Sequence, residues 1–570
     1  MLSKFLLFGG VLGGGVQGHL FNYETIQLTN NHLTKIHPKS LNTTSLFSPR
    51  QQQQTPKPLQ RCKTYPGDLL WPGKPIWDLF NLLLGKGSLI KTIPEASVCY
   101  PEWAGSRYSP AQCEELTKSW NNSTLRIEDP TSIRSILFQG MTSSNLNIRL
   151  VIKNTGHDFG GKSTGKGAIN LWTHHLKDAE FYPEYHAVGE EGYDGPAFKF
   201  GAGVQVYEAY ALAKKYNVTV IGGEGKSVGF IGGYIQGGGH SPLTSIYGMA
   251  ADHILSIQVV TADGRFITAD STQNTDLVWA LRGGGAATFG VVTSMVLKAF
   301  PRIKTTTLTY NFTTGGNFTR EKMWEAHRLY VDGFERYADL GYYSYYRIRH
   351  VSGELYHDMT SMVAPNTTEK EFREVMKTLW DKWEEIGVPF SPVTWGMRQA
   401  RRFLPRGVIS DPKKRKEIMD AIKGVSDEGA NILMFNMRNP PGSERVPNAV
   451  NKAWRDILGF AIMFVNWNVA TDSGEWVETL SRNLTYEWNP RWKKLTPGSG
   501  TYMSESDYIE PDWQESFHGD KYWELLRIKE KWDPEGVFYA TNAVGSEKWE
   551  LEEVIMGHLL SQNSRLCSRN

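Results

Sequence analysis

The 570-residue chain is expected to be an α+β protein built on more than one hydrophobic core, and three observations lead there. Its length exceeds what a single compact core organises. Between about 120 and 300, short β-like runs alternate with Gly-rich loops and short helices rather than with a regular βαβ repeat. From about 305 to 490, longer helical patterns stand between β-rich runs, as in an antiparallel sheet covered by helices.

At the N-terminus, Lys4, the apolar run Phe5 to Leu12 and the small residues before His19 predict a signal peptide over 1–18. An uncleaved anchor is the alternative, but no stretch reaches the ~20 apolar residues of a membrane span. The mature chain is therefore expected to lack one. Residues up to about 60 are polar, with Gln51 to Gln54, Pro56 and Pro58, and read as a loose linker. IRLVIK (148–153), FKFGAG (198–203) and ILSIQVVTA (254–262) predict strands. YEAYALAKKYN (207–217) predicts a helix running into a strand-like VTVIGG. Ala262-Asp263-Gly264-Arg265 is a hairpin turn signal. Further on, EKMWEAHRLYVDGF and EKEFREVMKTLWDKWEEIG predict helices, and TTTLTYNF and GFAIMFVNW predict strands of a sheet with one face free to roof a site. KYWELLRIKEKW is a helix that stops at Asp533-Pro534.

A formal net charge of +2 argues against a nucleic-acid binder. Sequons at Asn42, Asn121, Asn122, Asn217, Asn311, Asn317, Asn366 and Asn483 favour a secretory route. The four cysteines suit that compartment. Cys99 and Cys113 are close enough to bridge locally, with Cys62 and Cys567 left over, and pairing does not follow from sequence.

Two nucleotide-binding signals fail on context. Gly13 to Gly18 fits G-x-G-x-x-G but lies in the signal segment. Gly225-Lys226-Ser227 ends like a phosphate loop, yet Val220 stands where its first glycine is needed. His174-His175 would point to opposite faces of an extended segment, so no metal site is expected. Three Gly-rich stretches are more informative. IRLVIK runs into NTGHDFGGKS, whose backbone N–H groups can form an anion nest. GGEGKSVGFIGGYIQGGGHSP carries glycines at 222, 223, 225, 229, 232, 233, 237, 238 and 239, which let backbone approach a large flat ligand. LVWALRGGGAATFGVVTSMVL couples a helix to a Gly loop and a β-rich strand holding Val292.

In this order and spacing, the three stretches resemble the PCMH-type FAD-binding domain of the vanillyl-alcohol-oxidase superfamily, and most closely its fungal berberine-bridge-enzyme-like oxidases. The resemblance runs from about 121 to 301 and resumes in YMSESDYIEPDWQESFHGDKYWELLRIKEKWDPEGVFYATN. It implies an N-terminal extension and the start of the FAD domain over 19–120, a PCMH-type FAD-binding domain of two α/β subdomains over 121–301, a substrate domain over 302–495, a C-terminal segment over 496–550 that closes the flavin site, and a tail over 551–570.

Carried over by position, the resemblance places the FAD-linking loop on Asn154, Thr155, Gly156, His157 and Asp158, with His157 joined to the flavin 8α-methyl. Relatives with a second, cysteinyl tether carry C-P-x-V-G; here that cysteine is Gly225, so a single link is expected. Val228 falls at the oxygen gate and favours an oxidase. Gly229, Gly232, Gly233, Gln236, Gly237, Gly238, Gly239, His240, Asp252, Val292, Tyr539 and Asn542 are the further cofactor candidates. Tyr502-Met503-Ser504-Glu505 matches a Y-x-N-x pattern whose fourth position carries the base, which makes Glu505 and Tyr502 the catalytic candidates. Glu505 is otherwise a surface residue in an acidic loop with Asp507 and Glu510. The implied reaction moves hydride from an alcohol or secondary metabolite to the flavin, which molecular oxygen reoxidises to give hydrogen peroxide. An oxidative cyclase, a carbohydrate oxidase, a catalytically silent flavin protein and a partner-binding middle region are the alternatives.

Overall fold

The computed structural model describes residues 20–25, 61–84, 89–102, 107–119, 127–130, 148–187, 189, 192–389, 400–443, 446–465, 473–507, 509–552, 554–555, 559–560 and 564–569. The expected signal peptide, the Gln-rich stretch and the sequons at Asn42, Asn121 and Asn122 lie outside them.

β1 (Arg149–Lys153) and β2 (Ala168–Trp172) pair in parallel, and the loop between them carries the first Gly-rich stretch. β3 (Ala179–His186) and β4 (Asp194–Gly201) lead into the helix Val206–Lys215. The strand-like VTVIGG shortens to β5 (Val218–Thr219), because Val220 and Ile221 turn into the core. β6 (Ile254–Val260) and β7 (Phe266–Asp270) form the predicted hairpin, with Gly264 at φ +82° in its turn. β8 (Val291–Lys298) completes an antiparallel sheet of order β3-β4-β8-β6-β7, while β9 (Phe300–Pro301) pairs with β5. Both faces of this sheet are covered. Ile257 and Met295 enter the main core, whereas Leu255 and Val296 meet Tyr182, Tyr185 and Ala197.

The second body is an antiparallel sheet of β10 (Thr305–Thr313), β11 (Tyr343–Val351), β12 (Glu354–Pro365), β13 (Ala400–Pro405), β14 (Asn431–Asn436) and β15 (Ile457–Phe464), in the order β10-β12-β11-β14-β15-β13. Strand alternation decides its two faces. Ile432, Met434, Ala461 and Met463 pack under the helices Arg320–Val331, Glu369–Glu385 and Pro412–Asp427. Leu433, Phe435, Phe460, Ile462 and Phe464 join the core of the first body instead. Helix Glu369–Glu385 starts at a capping box of Thr368 and Glu371 and buries Phe372, Met376, Leu379 and Trp383 along one stripe.

The helix Tyr522–Trp532 returns to the first body, where buried Lys529 donates to the carbonyls of Thr288 (2.7 Å) and Phe538 (2.8 Å) and pairs with Asp533. The two chain ends come back onto the folded body. The tail is tied down: Trp549–Leu551 pairs with Leu566–Ser568, and Cys567 is bonded to Cys62. Cys99 bonds to Cys113. The reading of a loose linker fails for residues 20–25, where the fully buried Glu24 carboxylate accepts from Lys199 Nζ (2.6 Å), Thr293 Oγ1 (2.8 Å) and the Phe21 N–H (2.9 Å). Such a charge stays buried only when paired and fully hydrogen-bonded. His174 and His175 also differ from expectation, since they lie in a 3-10 turn, Thr173–His175, with their rings 5.3 Å apart.

Candidate active site

β1 runs straight into Asn154 to His157, and Gly156, at φ +80°, makes the turn that a side chain would resist. The second Gly-rich stretch interlocks with this loop. Thr155 Oγ1 accepts from the Gly229 N–H at 3.2 Å, and the Asn154 amide donates to the Ala202 carbonyl. A Cβ on Gly229 would fall 2.2 Å from Asn154 Oδ1, and one on Gly232 would fall 3.0 Å from Nδ2. Gly229 therefore requires glycine for close approach, and at Gly232 a side chain would press on the Asn154 amide. His157 Nε2 lies 2.9 Å from Ser227 Oγ. Asp158 accepts from the Lys162 N–H (3.2 Å) and pairs with its ammonium (3.5 Å).

The C-terminal segment closes onto both loops. Lys162 Nζ donates to the Met503 carbonyl (3.1 Å), and the Phe159 N–H donates to the Ser504 carbonyl (3.4 Å). Ser504, which replaces the asparagine of the Y-x-N-x pattern, donates to the Gly233 carbonyl at 3.1 Å. A Cβ on Gly237 would stand only 2.9 Å from Ser504 Oγ. Gln236 ties in the third Gly-rich stretch, its carbonyl accepting from the N–H groups of Gly283 (3.1 Å) and Gly285 (2.9 Å). Gly238 and Gly239, both at positive φ, accept from Ala251 and Ala250 through their carbonyls and bring the chain to His240.

His240 stands in an aromatic enclosure of Phe435, Trp454, Phe460 and Tyr502, with ring centroids 5.1 to 5.9 Å away. Its Nε2 lies 3.3 Å from Glu505 Oε2. The Tyr502 hydroxyl donates to the Tyr234 carbonyl (3.0 Å), and the Tyr234 hydroxyl to the His240 carbonyl (3.1 Å). A second carboxyl faces the same space. Crowding by the surrounding protein, with the charge of Glu505 adding to it, pushes the Glu224 carboxyl above the usual carboxylate range although its surface is exposed. One side of Glu224 remains open to solvent. This places it at the rim of the cleft rather than in a core.

Not every predicted residue comes to this cleft. Asp252 is held by both Arg455 guanidinium nitrogens (2.7 Å each), Asn448 (2.9 Å) and the Met249 N–H (2.9 Å), an ion pair that clamps the two bodies together. Val292 packs in the main core, and Tyr539 lies with Leu551 and Leu566 under the Arg149 guanidinium. Asn542 adopts φ +56° beyond that cluster. Ser227, Glu224, Tyr343 and Phe435 were not anticipated as site residues. The alternation in β11 and β14 could have marked Tyr343 and Phe435 as sharing a sheet face with the site, but nothing local marks Glu224.

The arrangement suits a large flat cofactor lying on backbone. Asn154 Oδ1 is buried without a hydrogen-bond partner among the described residues. A Cβ on Gly233 would meet nothing closer than Ser504 Oγ at 3.9 Å, so the loop leaves open space on that side. Comparison with known proteins agrees. The model of the FAD binding domain matches residues 142–270, and that described as berberine and berberine like matches 501–545. The FAD-linked oxidoreductase ZEB1 of Gibberella zeae is 32% identical, covering 87% of this chain and 94% of its own. The VAO-type flavoprotein oxidase VAO615 of Thermothelomyces thermophilus is 33% identical, covering 86% and 94%. The crystal structure of VAO-type flavoprotein MtVAO615 from Myceliophthora thermophila superposes with a TM-score of 0.77 at 31% identity, over 89% of this chain and 100% of that one. Loops, closing segment and near full-length relatives agree, and the chain belongs to the berberine-bridge-like FAD-linked oxidoreductases of the vanillyl-alcohol-oxidase family.

Proposed function

We propose that this chain is a secreted FAD-dependent oxidase that removes hydride from an alcohol or secondary-metabolite substrate, with its flavin linked through His157 alone. The observation that carries the reading is the joining of the anchor loop to the base loop. His157 sits two residues from a backbone bond to Ser504, and Glu505 follows directly. One cofactor held by the first loop would thus face the second. A bound flavin supplies the hydride acceptor, N5. The chain supplies the rest. Glu505 takes the proton of the substrate hydroxyl, and His240, 3.3 Å away, holds the carboxylate in place and shares its proton. Tyr343 and Phe435 would wall the substrate space from the sheet of the second body, and in an oxidase the electrons held by the bound flavin would go to dioxygen, giving hydrogen peroxide.

Secretion is supported by the two disulfides and by the sequons at Asn217, Asn311, Asn317, Asn366 and Asn483, none of which is buried. The discriminating experiment is acid precipitation of the purified protein. The pellet should keep yellow, fluorescent flavin, and that of His157→Ala should not. Flavin that washes out of the wild-type pellet refutes the link. Failure of every alcohol to bleach the flavin anaerobically, with no peroxide in air, would favour the silent flavin protein.

A further inference from the structure

We infer that Ser227 is a positioning residue for attachment of the flavin: its hydroxyl selects the imidazole nitrogen of His157 that bonds to the cofactor. The inference rests on the covalent reading above and deepens it. Neutral imidazole carries one hydrogen, so a partner that fixes one nitrogen decides the role of the other. Ser227 Oγ lies 2.9 Å from Nε2. Acting as acceptor there, the hydroxyl keeps the hydrogen on Nε2 and the reactive electron pair on Nδ1. As Nδ1 gives up that pair, positive charge grows on the ring, and a hydrogen bond from Nε2–H to a fixed oxygen stabilises it.

The serine is held firmly enough for this task. Its carbonyl accepts from Gln205 Nε2 (3.0 Å), and the Val228 N–H closes a turn onto the Gly225 carbonyl (3.0 Å). On either side, the Tyr207 N–H donates to the Lys226 carbonyl (3.0 Å) and the Val206 N–H to the Val228 carbonyl (2.9 Å). Gln205 is itself fixed by Lys177 (3.1 Å), which also pairs with Glu208 (2.7 Å). The turn is thus fastened to the start of the helix Val206–Lys215, and the hydroxyl approaches the ring along a set direction.

In the attachment step one bond forms, between Nδ1 and the 8α carbon, and one methyl C–H bond breaks. The imidazole hydrogen is released as well, and the electron pair left on the ring system passes to dioxygen. The methyl hydrogen, the imidazole hydrogen and dioxygen together leave as hydrogen peroxide. After linkage Nε2 carries a lone pair and needs a donor where it previously needed an acceptor. A hydroxyl serves both states by rotating, which an alkyl or carbonyl group cannot do.

The test uses the full chain, produced free of flavin in a riboflavin-starved host, with FAD then added in air. Two rates are followed: quenching of FAD fluorescence for binding, and acid-stable flavin for linkage. Ser227→Ala and Ser227→Val should bind FAD yet link it about tenfold more slowly, the worth of one hydrogen bond. Ser227→Thr, which matches valine in shape and restores the hydroxyl, should link at the wild-type rate. Linkage by the valine variant at the wild-type rate overturns the inference. So does loss of FAD binding together with linkage in the alanine variant, which would make the hydroxyl a binding group. Failure of the wild type to form acid-stable flavin is the separate failure of the His157 link itself.

Discussion

His518→Leu is expected to make the protein less sensitive to acid. His518 lies in the short helix Trp513–His518, is 1% exposed, and has both ring nitrogens buried without hydrogen-bond partners among the described residues. Burial, with a smaller push from the Lys162 ammonium, lowers its pKa to about 3. The unfolded chain presents an ordinary histidine near pH 6.5. Below that pH the unfolded state takes up a proton that the folded state refuses, so stability falls as the solution is acidified and the loss ends only near pH 3. Each pH unit inside that window costs about 1.4 kcal/mol, so moving from pH 6.5 to pH 5 costs about 2 kcal/mol from this residue. Leucine fills a similar volume among Trp513, Phe517 and Tyr522 and has nothing to protonate. Guanidinium unfolding of both proteins at pH 7.5 and pH 5 isolates the contribution, because all other titrating groups cancel in the difference. The variant should match or exceed the wild type at pH 7.5 and gain about 2 kcal/mol on it at pH 5. An equal loss in both proteins would mean that His518 takes its proton while folded.

Asp252→Ala should lower stability by about 2–3 kcal/mol, because it leaves the partly buried Arg455 without its carboxylate while Asn439, Ser443 and Asn448 still hold it. Calorimetry alongside flavin titration separates the readings: a stable variant that merely loses FAD would return Asp252 to the cofactor site. Glu505→Gln should keep its flavin while slowing anaerobic flavin reduction by about 10² to 10⁴, the usual worth of a general base. Stopped-flow bleaching with the alcohol fastest for the wild type measures this, and an unchanged rate removes Glu505 from the mechanism.

The parts legible in the sequence are those whose signal is local. IRLVIK became β1 because a β-branched run before Gly156 has few other solutions, and the Ala262–Arg265 turn became a hairpin because Gly264 accepts a positive φ. The Gly-rich stretches were legible as sites of close approach, and the clashes that a Cβ would make at Gly229 and Gly237 give the physical reason. What escaped depends on distant partners. Glu24 reads as one acidic residue near a polar stretch until Lys199, 175 residues away, closes on it. Asp252 shares its segment with true loop residues, and only the folded chain brings Arg455 to it. Glu224 is ordinary in sequence and unusual in space, since its upward shift arises from the protein crowded around an exposed carboxyl and from Glu505.

The absent second tether illustrates how the two kinds of information combine. Sequence alone places glycine where some relatives carry cysteine and leaves open whether the site lost only a bond or changed shape around the loss. In the folded chain a Cβ on Gly225 would lie 2.8 Å from Val228 Cγ2, closer than such contacts occur. The atom met is a side-chain methyl, so a rotation of Val228 relieves the contact while its backbone bonds to Gly225 and Val206 stay in place, as the valine of the C-P-x-V-G pattern requires. Under the proposed single link through His157, what the folded chain adds is a connected set, in which Gln205 holds the Ser227 carbonyl and the Ser227 hydroxyl meets the His157 ring.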